Sequence, residues 1–503
     1  MFIQSEIILG FQQVIEPMNL LYCFFGVLMG TLVGVLPGIG PTATISLLLP
    51  LALIASPLQG IVMLAGIYYG AMYGGSTTSI LVNIPGEAAS VVTCLDGYAM
   101  ARQGRAGPAL GMAAIGSFIG GTLSLVGLML LAVPLSKVAL GFGPAEYFGL
   151  LCIGLLLVLY LSHGSFSKGL TIAVIGLLLG CIGTDETSGK VRFAFGIPEL
   201  YDGLDVVPMV VGLFGISEVL INLGSRDKRV TVKTSVKNLL PNLEDWKRSA
   251  FPILRGSALG FFIGLIPGGG TVLSSFISYA LEKKISKHPE EFGKGAIEGV
   301  AGPETANNAS VGASFIPLFG LGIPSNVVMA ILLASLTIHG VTPGPNFIEK
   351  NQTFFWAIVA SMYIGNIMLL ILNLPLVGIW VKILKIPYRL LFPWILLFCM
   401  VGAYTVNSRV SDVLTAITFG IFGYLLKKLD YESAPLALGF VLGPMFELSF
   451  RQTMSISGGS LGFFLERPVA LVAFTLSAVV LISTFFNGIK KIREQVLDDP
   501  NSS

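Results

Sequence analysis

Gly30-Thr31-Leu32-Val33-Gly34-Val35-Leu36-Pro37-Gly38-Ile39-Gly40 interrupts an apolar run, and Gly260-Phe261-Phe262-Ile263-Gly264-Leu265-Ile266-Pro267-Gly268-Gly269-Gly270 does the same later. Gly30, Gly34, Pro37, Gly38 and Gly40 match Gly260, Gly264, Pro267, Gly268 and Gly270 at one offset of 230 positions. Proline removes an amide donor and glycine permits positive φ, so each copy ends a helix. In hydrocarbon the freed backbone groups cost several kcal/mol each, and such breaks survive only where protein or a wet cavity covers them. Paired breaks in two halves of a membrane chain point to a transporter's binding site.

Composition supports the membrane reading. The chain has 503 residues, 54% hydrophobic and 12% charged, with a mean hydropathy of +0.83. Soluble domains carry about 25% charge. The expected fold is an all-α polytopic membrane protein with about 10–12 membrane helices, broken helices and re-entrant hairpins included. The net charge of +2 argues against a nucleic-acid partner. The five cysteines lie apart without metal spacing and read as small buried hydrophobes. The first twenty residues lack a basic region and a cleavage site, so no removable signal peptide is expected.

Taken in order, residues 1–17 suit a short surface helix, and 18–57 hold the first break. Tyr73 to Glu87 is polar, followed by Asp96-Gly97-Tyr98 and a loop with Arg102 and Arg105. Further helices are expected at 109–134, 146–162, 169–184 and 205–223. A hydrophilic linker, 224–250, divides the chain and carries seven Lys and Arg side chains, Arg226 to Arg248. Such a loop belongs on the cytoplasmic side. The reading is therefore a first half at 1–223, a linker at 224–250, a second half at 251–489 and a cytoplasmic tail at 490–503. Second-half helices are expected near 353–375, 391–405, 412–426, 434–447 and 468–486. Trp356, Trp380 and Trp394 fall near helix ends, where indoles favour the headgroup region.

Charge relates the halves. After the first break, Ala52 to Gly60 carries no Lys or Arg, whereas Lys283, Lys284, Lys287 and Lys294 stand at the equivalent place in the second half. After the polar stretch the bias reverses: Arg102 and Arg105 in the first half, only Lys350 in the second. Equivalent loops on opposite sides mean inverted repeats.

Three stretches carry candidate chemistry. A half-helix starting after Gly40 or Gly270 offers free amides and a positive dipole end to a carboxylate. The candidates there are Pro37, Gly38, Gly40, Thr42, Pro267, Gly268, Gly269, Gly270 and Thr271. The bland account is a kink or a packing site. In the second stretch Ser76, Thr77, Thr78 and Asn83 offer donors and acceptors to a polar anion, or simply bond helix to helix. In the third, Gly302 to Ser310, Asn307 and Asn308 fall on Thr77 and Thr78 at the 230 offset. The break at Pro324-Ser325 meets Pro85 at 239, so the repeat carries a gap of about nine residues. Glu304 is either an acid complementing a helix start, since it follows Pro303, or an embedded carboxylate that couples transport to a cation or proton. With Asn307 and Asn308 it would give a hard ion such as Na⁺ an oxygen cage. Enzyme readings fail: Gly268 to Thr271 lacks the lysine of a phosphate loop, and His163, His288 and His339 sit in no catalytic pattern.

These motifs, with Arg102-Gln103-Gly104-Arg105-Ala106-Gly107-Pro108, resemble the large membrane subunit of the tripartite tricarboxylate transporters, the TctA type. The resemblance covers nearly the whole chain, and Gly302 to Ser310 is its most specific part. Ala99-Met100 departs from the family pattern, where a proline is expected soon after the tyrosine. The resemblance implies a bacterial inner-membrane permease without a cofactor. It would import citrate-like di- or tricarboxylates on a Na⁺ or H⁺ gradient, with a small four-helix membrane subunit and a periplasmic solute-binding protein. A channel or exporter for small organic anions is the alternative, and a scaffold subunit a third reading.

Overall fold

The computed structural model describes residues 2–36, 40–161, 165–185, 188–224, 239–268, 270–383 and 392–484. The protein is all-α and polytopic, apart, among the described residues, from one two-stranded hairpin, β1 Gly183–Thr184 with β2 Val191–Arg192. The first half contains α1 Phe2–Ile15, α2 Pro17–Val35, α3 Gly40–Ile54, α4 Pro57–Val82, α5 Val91–Arg102, α6 Ala106–Ala139, α7 Pro144–Leu161 and α8 Phe166–Leu179. It closes with α9 Val206–Val210, a π-turn Val211–Ile216, and α10 Ser217–Gly224. The second half contains α11 Leu243–Gly264, α12 Gly270–Ile285, α13 Glu298–Leu321, α14 Val327–Ile338, α15 Phe347–Lys350 and α16 Gln352–Asn373. Then come α17 Val377–Ile383, α18 Phe392–Asn407, α19 Val410–Lys428, α20 Ala434–Ile456, α21 Phe463–Glu466 and α22 Pro468–Ser483. Among the described residues five helical stretches are long and apolar enough to cross a membrane unaided: α2, α6, Val206–Leu223, α16 and α19.

Most boundaries fall within a few residues of the sequence reading. Two differ by more. Residues 243–250, read as linker, are the opening turns of α11, because Asn242 and Asp245 form a reciprocal capping box. Helix α20 runs to Ile456 instead of 447. The indoles differ too. Trp356 and Trp380 are buried in protein, Trp380 donating its N–H to the Leu372 carbonyl at 2.7 Å, and only Trp394 faces outward.

Two packing seams carry the architecture. A β-carbon added at Gly26, Gly30 or Gly34 would fall 2.3, 2.4 and 2.3 Å from the carbonyl oxygens of Met63, Ile67 and Ala71. One added at Gly256, Gly260 or Gly264 would fall 2.5, 2.2 and 2.5 Å from those of Gly302, Ala306 and Ser310. Helix α2 therefore lies backbone to backbone on α4, and α11 on α13. The glycines keep the offset of 230, and the carbonyls they touch keep 239. The nine extra residues therefore lie in the second half, between its break and its polar helix, so Asn307 and Asn308 stand at the places of Tyr68 and Tyr69 and not of Thr77 and Thr78, and the two seams are built alike. Without a hydrophobic force between helices in lipid, such small-residue contact is what holds them.

Helices α1–α6 and α11–α16 pack together. Two smaller groups flank them, α7 and α8 with α20–α22, and α9, the π-turn and α10 with α18 and α19, the two touching each other lightly through α9 and α20. Helix α3 meets α9, the π-turn and α18, and α14 meets α20. Ion pairs mark two ends of the bundle. At the linker end Arg105 pairs with Asp245, Arg248 with Glu298 (2.7 Å) and Arg255 with Glu282 (2.6 Å). At the far end Arg192 pairs with Glu447 (2.6 Å), Arg451 with Asp185 (2.8 Å), and Arg467 with Glu146 (3.0 Å).

Asp96 fastens the linker-end loop. Its Oδ1 accepts the amides of Gly293 (2.9 Å), Gly295 (2.8 Å) and Ala296 (2.8 Å), and its Oδ2 accepts the Tyr279 hydroxyl (2.9 Å). Asp96→Ala strips four donors of their acceptor, and a buried donor left unpaired costs about 1–3 kcal/mol. The expected result is a loss of about 3 kcal/mol or more, read as a fall in thermal midpoint of the detergent-purified protein. Asp96→Asn, which keeps one oxygen, falls less. An unchanged midpoint in the alanine variant contradicts the anchoring role.

Candidate functional site

Each break ends one helix and opens another. The Gly268 amide donates to the Ser325 carbonyl at 2.8 Å, and Gly268 has φ +78° with Val158 backbone 2.5 Å from where its β-carbon would lie. That residue can only be glycine. Gly40 and Gly270, at the first positions of α3 and α12, have φ +65° and +48°, and nothing stands within 4 Å of their missing β-carbons. Both face one cavity of about 540 Å³, which also takes in Thr42, Thr271, Gly268 and Ser325. Two helix starts from different halves thus converge on one space, each presenting unpaired amides and about half a positive charge. Ser325 is 1% exposed and, among the described residues, its hydroxyl has no partner, so an unsatisfied polar group lies in the cavity wall. Pro37, Gly38 and Gly269 lie outside the described residues, as do His163, linker residues 225–238 and the tail from 490.

The cavity opens at the linker end. Its walls are Leu213 to Ile221 of the π-turn and α10, Lys427 of α19, and Tyr431 to Leu438 leading into α20. Among the described residues, none of the 183–203 or 339–351 loops lines it.

Behind the cavity sits a buried polar network. Glu304 is 1% exposed; Ser76 donates to its Oε2 at 2.6 Å and Thr93 donates to its Oε1. Asn308 Nδ2 donates to Ser117 Oγ (2.7 Å) and to the Glu304 carbonyl (3.2 Å). Asn307 Nδ2 donates to Glu87 Oε1 (3.3 Å), whose Oε2 accepts the Ala89 amide (2.5 Å). Glu87 also lines the cavity, so the network touches it. Among the described residues neither Glu87 nor Glu304 forms an ion pair. A buried carboxylate costs several kcal/mol unless a cation or proton compensates it. Among the described residues, the side-chain oxygens of Asn307, Asn308 and Asn373 accept no hydrogen bond. Asn373 shares a water-sized void of about 10 Å³ with Tyr73, Ser76, Thr77 and Ser117.

The expected site residues sort as follows. Gly40, Thr42, Gly268, Gly270, Thr271 and Ser325 come together around the cavity. Glu304, Asn307, Asn308, Ser76 and Thr77 form the network beside it. Glu304 sits in the second turn of α13, whose start is Glu298, so the helix-start account of this acid is wrong. Thr78 is a backbone partner, donating to the Val35 carbonyl at 2.7 Å. Asn83 is exposed, caps α4 with φ +58° and does not line the cavity. Pro267 and Pro324 shape the breaks without lining it. Thr93, Ser117, Asn373, Glu218 and Lys427 were missed. Glu218 carried a usable signal, a charge inside an apolar span. Ser117 and Asn373 sit in apolar runs with no local mark.

A family model described as "Tripartite tricarboxylate transporter TctA family" matches residues 20–438. An uncharacterized 52.8 kDa protein in the TAR-I ttuC' 3'region of Agrobacterium vitis is 51% identical over 98% of both chains. An uncharacterized protein from Methanocaldococcus jannaschii is 23% identical over 80% of this chain and 93% of its own. No solved structure matches.

Proposed function

Because this chain belongs to the tripartite tricarboxylate transporter TctA family, and so is the large membrane subunit of such a transporter, we propose that it imports a citrate-like di- or tricarboxylate on a Na⁺ or H⁺ gradient. The observation that carries the reading is the convergence of Gly40 and Gly270 on one cavity beside an unsatisfied Ser325 hydroxyl. Two dipole ends attract an anion there without an arginine being buried. Glu304 and Glu87 lie next to that cavity without a cation, and the free oxygens of Asn307 and Asn308 supply hard-ion ligands. A cation or proton taken up with the substrate would offset their charge.

The matching seams and the reversed loop charges support inverted repeats. The linker end, rich in Lys and Arg, is then cytoplasmic, and the cavity faces inward. Alternating access would move one group of helices against another. A bacterial inner-membrane location with the C-terminus inside, a four-helix partner subunit and a periplasmic solute-binding protein complete the reading. A cavity lined at one end only favours a transporter over an open channel.

The test is uptake of radiolabelled citrate and related acids in vesicles carrying all three subunits, with and without a Na⁺ or H⁺ gradient. Gradient-driven uptake that needs the binding protein is expected. Uptake indifferent to both points to the channel or exporter instead.

A further inference from the structure

Asn307 reaches Glu87 in the other half, and a second pair does the same. Asn326 Nδ2 donates to the Tyr68 hydroxyl oxygen at 3.3 Å. Tyr68 and Glu87 stand 239 positions before Asn307 and Asn326, the offset that the touching carbonyls keep. Glu87 follows Pro85-Gly86, and Asn326 follows Pro324-Ser325. The two bonds therefore occupy equivalent places, each joining a polar helix of one half to a break of the other. Their chemistry differs: one ends on a carboxylate, the other on a neutral phenol.

Local bonding decides what the phenol can do. Asn326 caps α14, its Oδ1 accepting the Met329 amide at 3.0 Å, so its nitrogen is the end that reaches Tyr68. That donor occupies a lone pair of the phenol oxygen, and the phenolic hydrogen has to point elsewhere. Among the described residues Tyr68 donates to nothing, although it is only 3% exposed. Tyr68, Ser325 and Asn326 all line the cavity. The Ser325 carbonyl accepts the Gly268 amide, which sets this corner beside the start of α12 at Gly270. Two hydroxyls that lack an acceptor, those of Tyr68 and Ser325, thus stand where a carboxylate would dock, and a bond from either to a charged oxygen is about twice as strong as one between neutral groups. We infer that Tyr68 binds the substrate, donating its hydroxyl to a carboxylate held at the helix starts, and that Asn326 is the positioning residue that directs the phenolic hydrogen. This rests on the transport reading above and adds residues to the same site.

The test is calorimetric titration of the detergent-purified full chain with citrate, succinate and acetate, with melting measured on the same preparations. Tyr68→Phe keeps the ring and is expected to weaken binding of the best-bound acid about tenfold, the loss of one hydrogen bond to a charged group. Asn326→Ser keeps an oxygen to cap α14 and drops the amide. It is expected to weaken binding about threefold, because the phenol is no longer held in one orientation. Both variants are expected to melt like wild type. In the Tyr68→Phe background Asn326→Ser has no further effect on affinity, whereas a merely structural role for Asn326 would weaken binding equally in both backgrounds. Equal affinity for wild type and Tyr68→Phe, or a further loss when Asn326→Ser is added to it, overturns the inference and leaves the transport reading standing. Failure of wild type to bind any of the three acids overturns both.

Discussion

Glu304→Gln is expected to lower gradient-driven uptake at least about a hundredfold while leaving the protein folded. The two halves of that expectation come from different physics. The amide has the size of the carboxylate, and the hydroxyls of Ser76 and Thr93, which donate to Glu304 now, can also accept from an amide. The network therefore stays satisfied, and the thermal midpoint should move by only a few degrees, on the order of a 1 kcal/mol change. The charge is what goes. A bound cation that loses its carboxylate in a buried site forfeits about 3 kcal/mol or more, which is at least about a hundredfold in occupancy. Glu304→Ala differs: it opens a void and leaves both hydroxyls without partners, so it should lose stability as well. The comparison needs uptake and melting on the same preparations. Uptake near the wild-type level in the glutamine variant would remove Glu304 from any coupling role.

The second large effect is steric. Gly260→Val should yield little folded protein, because a β-carbon there lies 2.2 Å from the Ala306 carbonyl oxygen and 2.7 Å from the Ala306 Cα. These are backbone atoms of a facing helix, so no side chain can swing aside. Helices α11 and α13 would have to separate, and forced overpacking costs about 1–3 kcal/mol even where a core yields. Gly30→Val meets the Ile67 carbonyl at 2.4 Å and the Gly70 Cα at 2.9 Å, and should behave alike. Gly378→Ala is the control: it is exposed, with nothing within 4 Å. Size-exclusion profiles of the three variants decide the matter. A monodisperse Gly260→Val protein melting like wild type would mean that the seam is not a close contact.

The seams separate what a chain reveals by itself from what it does not. The spacing of Gly26, Gly30 and Gly34 and its copy at Gly256, Gly260 and Gly264 are written in the chain, as are the Pro-Gly breaks. Local chemistry dictates both, so sequence reveals them. The partners of those glycines are another matter. Ile67 and Ala306 contribute only a carbonyl, which every residue has. Likewise Glu304 stood out as an embedded acid, but Thr93 and Ser117, which surround it, are ordinary residues brought near from α5 and α6. Asn83 failed for a related reason: a polar residue after a helix suits a left-handed cap as well as a ligand site. Trp356 and Trp380 were misjudged because sequence marks a helix end but not whether another helix covers it.

The separate packing of the helix groups has a consequence for kinetics. The floor of the hollow, at Gly40 and Gly270, belongs to the group of α1–α6 and α11–α16, and much of its wall, from Leu213 to Ile221 and around Lys427, belongs to the group of α9, the π-turn, α10, α18 and α19. A pipe bored through a single block delivers cargo as fast as diffusion refills it. A chamber shared between two blocks empties one load per stroke, and its ceiling is the stroke frequency, however much cargo waits outside.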